Sequence, residues 1–203
     1  MEKREKGKVI LDVQAGMFPL GVLGNRKIGR NDTYIGIDAE EENLKIAELH
    51  AQNAYFGKDL DMALINARGE QIPVRDGSVD EVLFRNVLGN PSSFDFSKIK
   101  TGDEEAFARY REGRETEIRQ FAQEAKRVLK EGGKVVIVET TTPENVHPYT
   151  AFFTEDSDLQ VIKFSNHPKE LAEYVRGDVG MGVGEGSFIL ELEKKKKRRN
   201  KLN

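Results

Sequence analysis

The sequence contains no cysteine. That removes a disulfide framework and a thiolate nucleophile from consideration. Long apolar runs are missing too. None approaches the ~20 residues that a membrane-spanning helix requires. The opening MEKREKGK is charged and leads straight into a strand, without the apolar core of a secretory signal, so a cytoplasmic location is expected. No internal repeat is present. No cluster of His and acidic residues has metal-ligand spacing, and no metal is expected. The nucleophile-elbow pattern G-x-S-x-G is absent. The first loop, QAGMFP, is not the G-x-G-x-x-G of a dinucleotide-binding dehydrogenase. The glycine-rich run Gly180–Gly186 precedes a strand instead of leading from a strand into a helix. It reads as a loop, not a phosphate cradle.

What is present suits one domain with a sizeable core: 203 residues, 37% hydrophobic and 33% charged. The charge is unevenly spread. Lys194–Lys201 (KKKKRRNK) holds seven of the 32 basic residues, and removing those seven charges from the formal −3 leaves the remainder at −10. An acidic body with a basic, disordered tail over 194–203 is expected. Such a tail is either a solvated terminus or a hold on RNA, ribosomes or another acidic partner.

The organising stretch is Lys8–Asp38. It reads as strand, glycine-bearing loop, short helical piece near Leu20–Leu23, and strand. Both strands end in carboxylates, Asp12 and Asp38. In an open parallel sheet, ligands sit beyond the carboxyl ends of the strands, which is where these acids lie. A helix is expected over 40–54, with Leu44, Ala47, Leu49 and Ala51 at near-helical spacing. Strands follow at 61–67 and 79–87. An amphipathic helix over 115–130 carries Ile118, Phe121, Ala122, Ala125, Val128 and Leu129 on one face, and Gly132-Gly133 reads as its C-cap. A fifth strand, KVVIVE, covers 134–139. Beyond a loop containing Pro143 and Pro148, a strand (159–164), a helix (167–176) and a last strand (187–193) are expected. The alternation predicts an α/β fold: a seven-stranded, mostly parallel sheet with helices on both faces and an antiparallel final strand.

Four segments, VILDVQAG, YIGIDAE, GEQIPVRDGSVDEVLFRNVL and EAKRVLKEGGKVVIVE, resemble those of S-adenosylmethionine-dependent methyltransferases of the class I, type 11 kind. They keep the family's order and near-family spacing over residues 8–140. The resemblance implies a Rossmann-like domain over 1–193, with an insertion at about 88–114. It implies S-adenosylmethionine as cofactor. It places Asp12 by the methionine end, gives Asp38 the ribose hydroxyls, and lets the backbone approach the cofactor at Gly16. Gln14 and Ala15 share that first loop. Ala39, Arg68, Gly69, Glu70 and Asn86 line the adenine or methionine pocket.

Three positions depart from the family pattern. Gln14 and Phe18 stand where glycine is usual. Arg68 replaces the acid that contacts the adenine amino group, and a guanidinium cannot accept that bond. For the acceptor side the candidates are Glu139, at the end of the fifth strand, and His147 and Tyr149 beyond it. Each has an alternative structural role. Asn90-Pro91-Ser92-Ser93 reads as a turn. His50 reads as an ordinary helix residue. The functional expectation is methyl transfer to a small-molecule acceptor. The alternatives are a methyltransferase-fold binding or regulatory protein, and an RNA- or ribosome-associated methyltransferase that uses the basic tail.

Overall fold

The computed structural model describes residues 7–18, 28–29, 31–54, 61–88, 104–139, 146–155, 158–174 and 187–196. The expected turn at 20–23, the Asn90–Ser93 turn, the glycine run at 180–186 and most of the insertion lie outside these residues.

Seven strands form one sheet: β1 (Val9–Val13), β2 (Thr33–Asp38), β3 (Asp61–Asn66), β4 (Val79–Arg85), β5 (Leu129–Glu139), β6 (Leu159–Ser165) and β7 (Phe188–Lys194). Their order is β3-β2-β1-β4-β5-β7-β6. β1 to β5 pair in parallel, while β7 runs antiparallel to both β5 and β6. The antiparallel final strand is therefore present, and it lies inside the sheet, not at its edge. The strand order reverses between β1 and β4, the switch point at which such sheets open a crevice.

Alternate residues of the central strands feed two cores. Leu11, Val13, Ile37, Val82, Phe84, Val135, Ile137, Leu190 and Leu192 pack on one face. They meet Phe121 and Ala125 of α2 (Glu104–Val128) and Phe153 of α3 (Val146–Thr154). Ile10, Tyr34, Leu83, Val136, Val138 and Ile189 pack on the other, against Leu171 of α4 (Pro168–Leu171) and Tyr174. Burial on both faces explains why these strands read as near-continuous apolar runs. Helix α1 (Glu41–Ala54) buries Leu44, Ala47 and Ala51, whereas Leu49 is exposed. It falls off the face because 44, 47 and 51 keep the 3.6-residue period and 49 does not.

Several sequence expectations are corrected. Helix α2 starts at Glu104, so the latter part of the supposed insertion is its first turns. It ends at Val128, and Gly132-Gly133 lies within β5 and does not cap it. The cap comes from elsewhere. Lys194 Nζ donates to Lys126 O at 2.6 Å and to Leu129 O at 2.8 Å, while the N–H groups of Gly77 and Ser78 donate to Arg127 O and Val128 O. These partners satisfy carbonyls that a helix end leaves open, and the ammonium suits its negative pole. Lys194, expected at the head of the basic tail, instead closes β7, and the Lys195 N–H donates to Asp158 O; residues 197–203 of the expected tail lie outside the described residues. Helix α3 was missed because Pro148 suggests a loop. In the first helical turn, however, its missing N–H would have had no partner anyway. The helix expected over 167–176 shrinks to α4, with His167 as N-cap accepting from the Lys169 N–H through Nδ1.

Candidate functional site

A cleft of about 380 Å³ opens at the carboxyl ends of β1, β2 and β4. Its walls include Gln14, Gly16, Asp38, Ala39, Arg68, Glu70 and Asn86, seven of the residues singled out from the sequence. Asp38 organises it. Its Oδ2 accepts from the Gly16 N–H at 2.9 Å, and its Oδ1 accepts from the Glu40 N–H at 2.9 Å and Asn43 Nδ2 at 3.1 Å. One carboxylate thus joins the first loop to the end of β2 and the start of α1. The Ala15 N–H donates to Ile37 O at 2.9 Å and extends the same seam. The loop turns through left-handed backbone, with φ +52° at Gln14 and +62° at Gly16. At Gly16 a Cβ would meet nothing within 4 Å, so this glycine serves the turn and leaves open space above it.

Asp12 is elsewhere. It is fully buried beneath the loop on the face it shares with Ile10, where Arg85 pairs with it and the Tyr34 hydroxyl donates to it at 2.6 Å. Arg85 Nη2 also donates to Phe18 O at 3.1 Å, tying the end of the first loop to β4. Burial lowers the Arg85 pKa, but the charge of Asp12 and hydrogen bonds from this cluster more than offset it, and the net shift is upward. Gly69 is also buried. A Cβ there would lie 2.7 Å from the Phe121 ring and 2.8 Å from Val13, so its lack of a side chain lets the segment after β3 sit on the core. Arg68 is exposed and pairs with Glu70 at 3.1 Å. Phe18 does not fill the cleft: its ring stacks at 4.7 Å on His50 of α1.

The segment after β4 forms the other wall. Asn86 has φ +56°, and its N–H donates to Val138 O at 2.8 Å. The next two peptide groups are gripped from both sides. Glu139 Oε1 accepts from the N–H groups of Val87 and Leu88 at 3.1 and 2.8 Å. Arg114 of α2 donates to the carbonyls of both residues and pairs with Glu117, which itself lines the cleft. Glu139, a candidate base from the sequence, is fully buried in this grip. Tyr149 packs in the core with its ring 6.4 Å from that of Phe188. His147 falls in the first turn of α3, and its side chain is outside the described residues. Glu40, Asn43, Val87 and Glu117 complete the cleft and were not foreseen. Asn43 carried a weak signal, five residues after the strand-end acid. Glu117 carried none, because only the fold brings α2 to this wall.

The methyltransferase-domain family matches the sequence over residues 4–179. The chain belongs to the methyltransferase-domain family. S-adenosylmethionine is accordingly its methyl donor, and the expected cofactor class and Rossmann-like fold stand. No curated protein matches the sequence. Solved methyltransferases share the fold at low identity. One from Methanosarcina mazei superposes with TM-score 0.58 at 13% identity, covering 96% of this chain and 95% of that one. A TehB-like one from Corynebacterium glutamicum gives 0.58 at 15%, covering 95% and 83%. One from Aquifex aeolicus gives 0.55 at 16%, covering 93% and 83%.

The methyltransferase's cleft suits the donor chemically. Asp38 uses three of the roughly four lone-pair positions of a carboxylate and keeps one for a hydroxyl. Among the described residues no group of His and acidic side chains is placed to hold a metal ion, and no helix is long and apolar enough to cross a membrane.

Proposed function

We propose that this methyltransferase binds S-adenosylmethionine in the Asp38 cleft and passes its methyl group to a small-molecule acceptor. The supporting observation is the Asp38 carboxylate itself, fixed by three donors at the mouth of the switch-point crevice. In this reading the remaining lone pair of Asp38 takes a ribose hydroxyl. Gln14 and Gly16 pass under the methionine part. Glu70, steadied by Arg68, accepts from the adenine amino group in place of the acid that Arg68 supplants. Asn86 faces the transferring end. Asp12 acts from below, holding Arg85 so that Arg85 holds the loop at Phe18. The sulfonium methyl arrives already activated, so the protein's task is proximity and orientation. The gripped Asn86–Leu88 segment provides a fixed wall for that purpose. The small-molecule acceptor follows from the resemblance to type 11 enzymes.

Calorimetric titration with S-adenosylmethionine and S-adenosylhomocysteine tests the cleft. Wild type is expected to bind both, and Asp38→Ala to lose at least about tenfold in affinity, the worth of one charge-assisted hydrogen bond of ~1.5–3 kcal/mol. Absence of binding at millimolar ligand would sink the reading and favour a fold retained as a binding module. Tritiated-methyl donor incubated with a metabolite extract, or with RNA, separates the acceptor classes by where the label goes.

A further inference from the structure

Asparagine is a poor strand former, yet Asn66 closes β3, in register with Asp38 of β2. Among the described residues β3 is an edge strand with β2 as its one neighbour. At this pair the ladder runs out. The Ala67 N–H makes the last rung, donating to Asp38 O at 3.0 Å. The Asn66 side chain then continues where the backbone stops. Its Nδ2 donates to Asp38 O at 3.1 Å and to Ala39 O at 2.9 Å. A side-chain amide nitrogen carries two hydrogens, one for each carbonyl. Planarity carries the effect one step further, because in a trans peptide the N–H points opposite to the C=O. The peptide unit whose oxygen Asn66 holds, Ala39–Glu40, is the unit whose N–H donates to Asp38 Oδ1 at 2.9 Å. Ala39 itself lines the cleft, and Asn66 stands outside the cleft wall.

We propose that Asn66 is a positioning residue for the methyl donor, acting from outside the cleft through Asp38 and Ala39. The inference rests on the reading that places the donor's ribose at Asp38. Three donors fix the Asp38 carboxylate, and one of them is the Glu40 N–H. Turning the Ala39–Glu40 peptide about its flanking torsions would swing that N–H off Oδ1 and free the carboxylate to rotate. Asn66 holds the opposite end of the same unit and prevents the turn. The lone pair left for a hydroxyl therefore keeps its direction. A carboxylate set before the ligand arrives has less freedom to lose on binding. The grip adds little to the stability of the fold. Asn66 is exposed, and without it water can reach the Ala39 carbonyl, so no buried group is stranded. Its loss falls on the geometry of Asp38.

The test pairs amide hydrogen exchange with calorimetric titration of S-adenosylhomocysteine, both on the full chain. Without ligand, Asn66→Ala should speed exchange at the Glu40 amide by about three- to tenfold, the worth of one ordinary hydrogen bond, and leave Leu83 in the middle of the sheet unchanged. The same variant should lose affinity for S-adenosylhomocysteine by about the same factor. Asn66→Asp keeps the shape but turns an acceptor toward two carbonyls, so it should lose at least as much as alanine. A role limited to filling space at the strand end would instead leave the aspartate close to wild type. In an Asp38→Ala background, Asn66→Ala should change affinity by less than about twofold, because a residue that acts through Asp38 has nothing left to act on. Wild type that binds no ligand at millimolar concentration overturns the cleft reading and this role with it. Wild type that binds, with an affinity unmoved by Asn66→Ala, overturns this role alone. So does an unchanged Glu40 exchange rate, or a full loss that persists in the Asp38→Ala background.

Discussion

Replacing Arg85 with methionine should be among the most damaging single changes outside the apolar core, and replacing Asp12 as well should relieve part of the damage. Asp12 is fully buried, and its partners are the Arg85 guanidinium and the Tyr34 hydroxyl. Arg85→Met would leave a carboxylate in that site with one neutral donor. Removing one member of a buried ion pair costs about 3–5 kcal/mol, mostly because the other charge stays behind. For a domain of this size each kcal/mol shifts the melting temperature by about 2–4 °C, so a drop of about 6–20 °C is expected. Asp12→Asn alone strands the guanidinium and should cost a similar amount. The double variant strands neither charge, and the amide that replaces the Asp12 carboxylate still offers Tyr34 an acceptor. It should therefore be more stable than Arg85→Met alone, with a coupling of at least 2 kcal/mol by urea denaturation. Since Arg85 also holds Phe18 O, both variants without it should bind S-adenosylmethionine more weakly. An Arg85→Met loss below 1 kcal/mol, or a double variant that loses the sum of the two singles, would refute the ion-pair account.

Glu139→Ala removes the acceptor from two buried N–H groups, about 1–3 kcal/mol each. It should lower both stability and cofactor affinity in calorimetry, while Glu139→Gln, which keeps an acceptor oxygen, should stay within about threefold of wild type if its role is to position and not to transfer protons. Gln14→Gly relieves left-handed strain worth ~1–2 kcal/mol and returns part of that as chain entropy, ~0.5–1 kcal/mol. The melting temperature should rise by about 1–2 °C, and a fall beyond 3 °C would contradict the assigned turn. The Glu124 carboxyl is held below its usual range, first by hydrogen bonds from Arg127 and further by the Ile72 N–H, against an opposing effect of burial. A depressed carboxyl stabilises the fold above its unfolded-state value, about 4.3, and that contribution disappears as pH falls through the folded value. The stability gap between wild type and Glu124→Gln should accordingly be about 1–2 kcal/mol at pH 7 and close below pH 4 in urea titrations.

The parts legible in the sequence were those fixed by local pattern. The apolar strands, the strand-end acids and the amphipathic stretch around Phe121 each declare themselves within a dozen residues, and they sufficed for the fold and for most of the cleft wall. The parts that escaped depend on partners far along the chain. Asp12 looked like a ligand contact because its position is right; only Arg85, 73 residues on, turns it inward. Phe18 looked like an obstruction because glycine is usual there, yet His50 gives its ring a place outside the cleft. Glu139 looked like a base at a strand end, and its role follows from Val87 and Leu88. Gly132-Gly133 looked like a helix stop, a job that falls to a lysine 68 residues beyond Lys126.

That last arrangement bears on how the chain is made. β7 fits between β5 and β6, and Lys194 finishes α2. At ~5–20 residues per second, a ribosome needs several seconds to go from Lys126 to Lys194. Once β5 is made its edge stands open until β7 arrives, and β6 has no strand neighbour before then. An open apolar edge invites pairing with other chains. The final strand acts as a keystone delivered late, and the nascent protein is most vulnerable to aggregation just before it arrives.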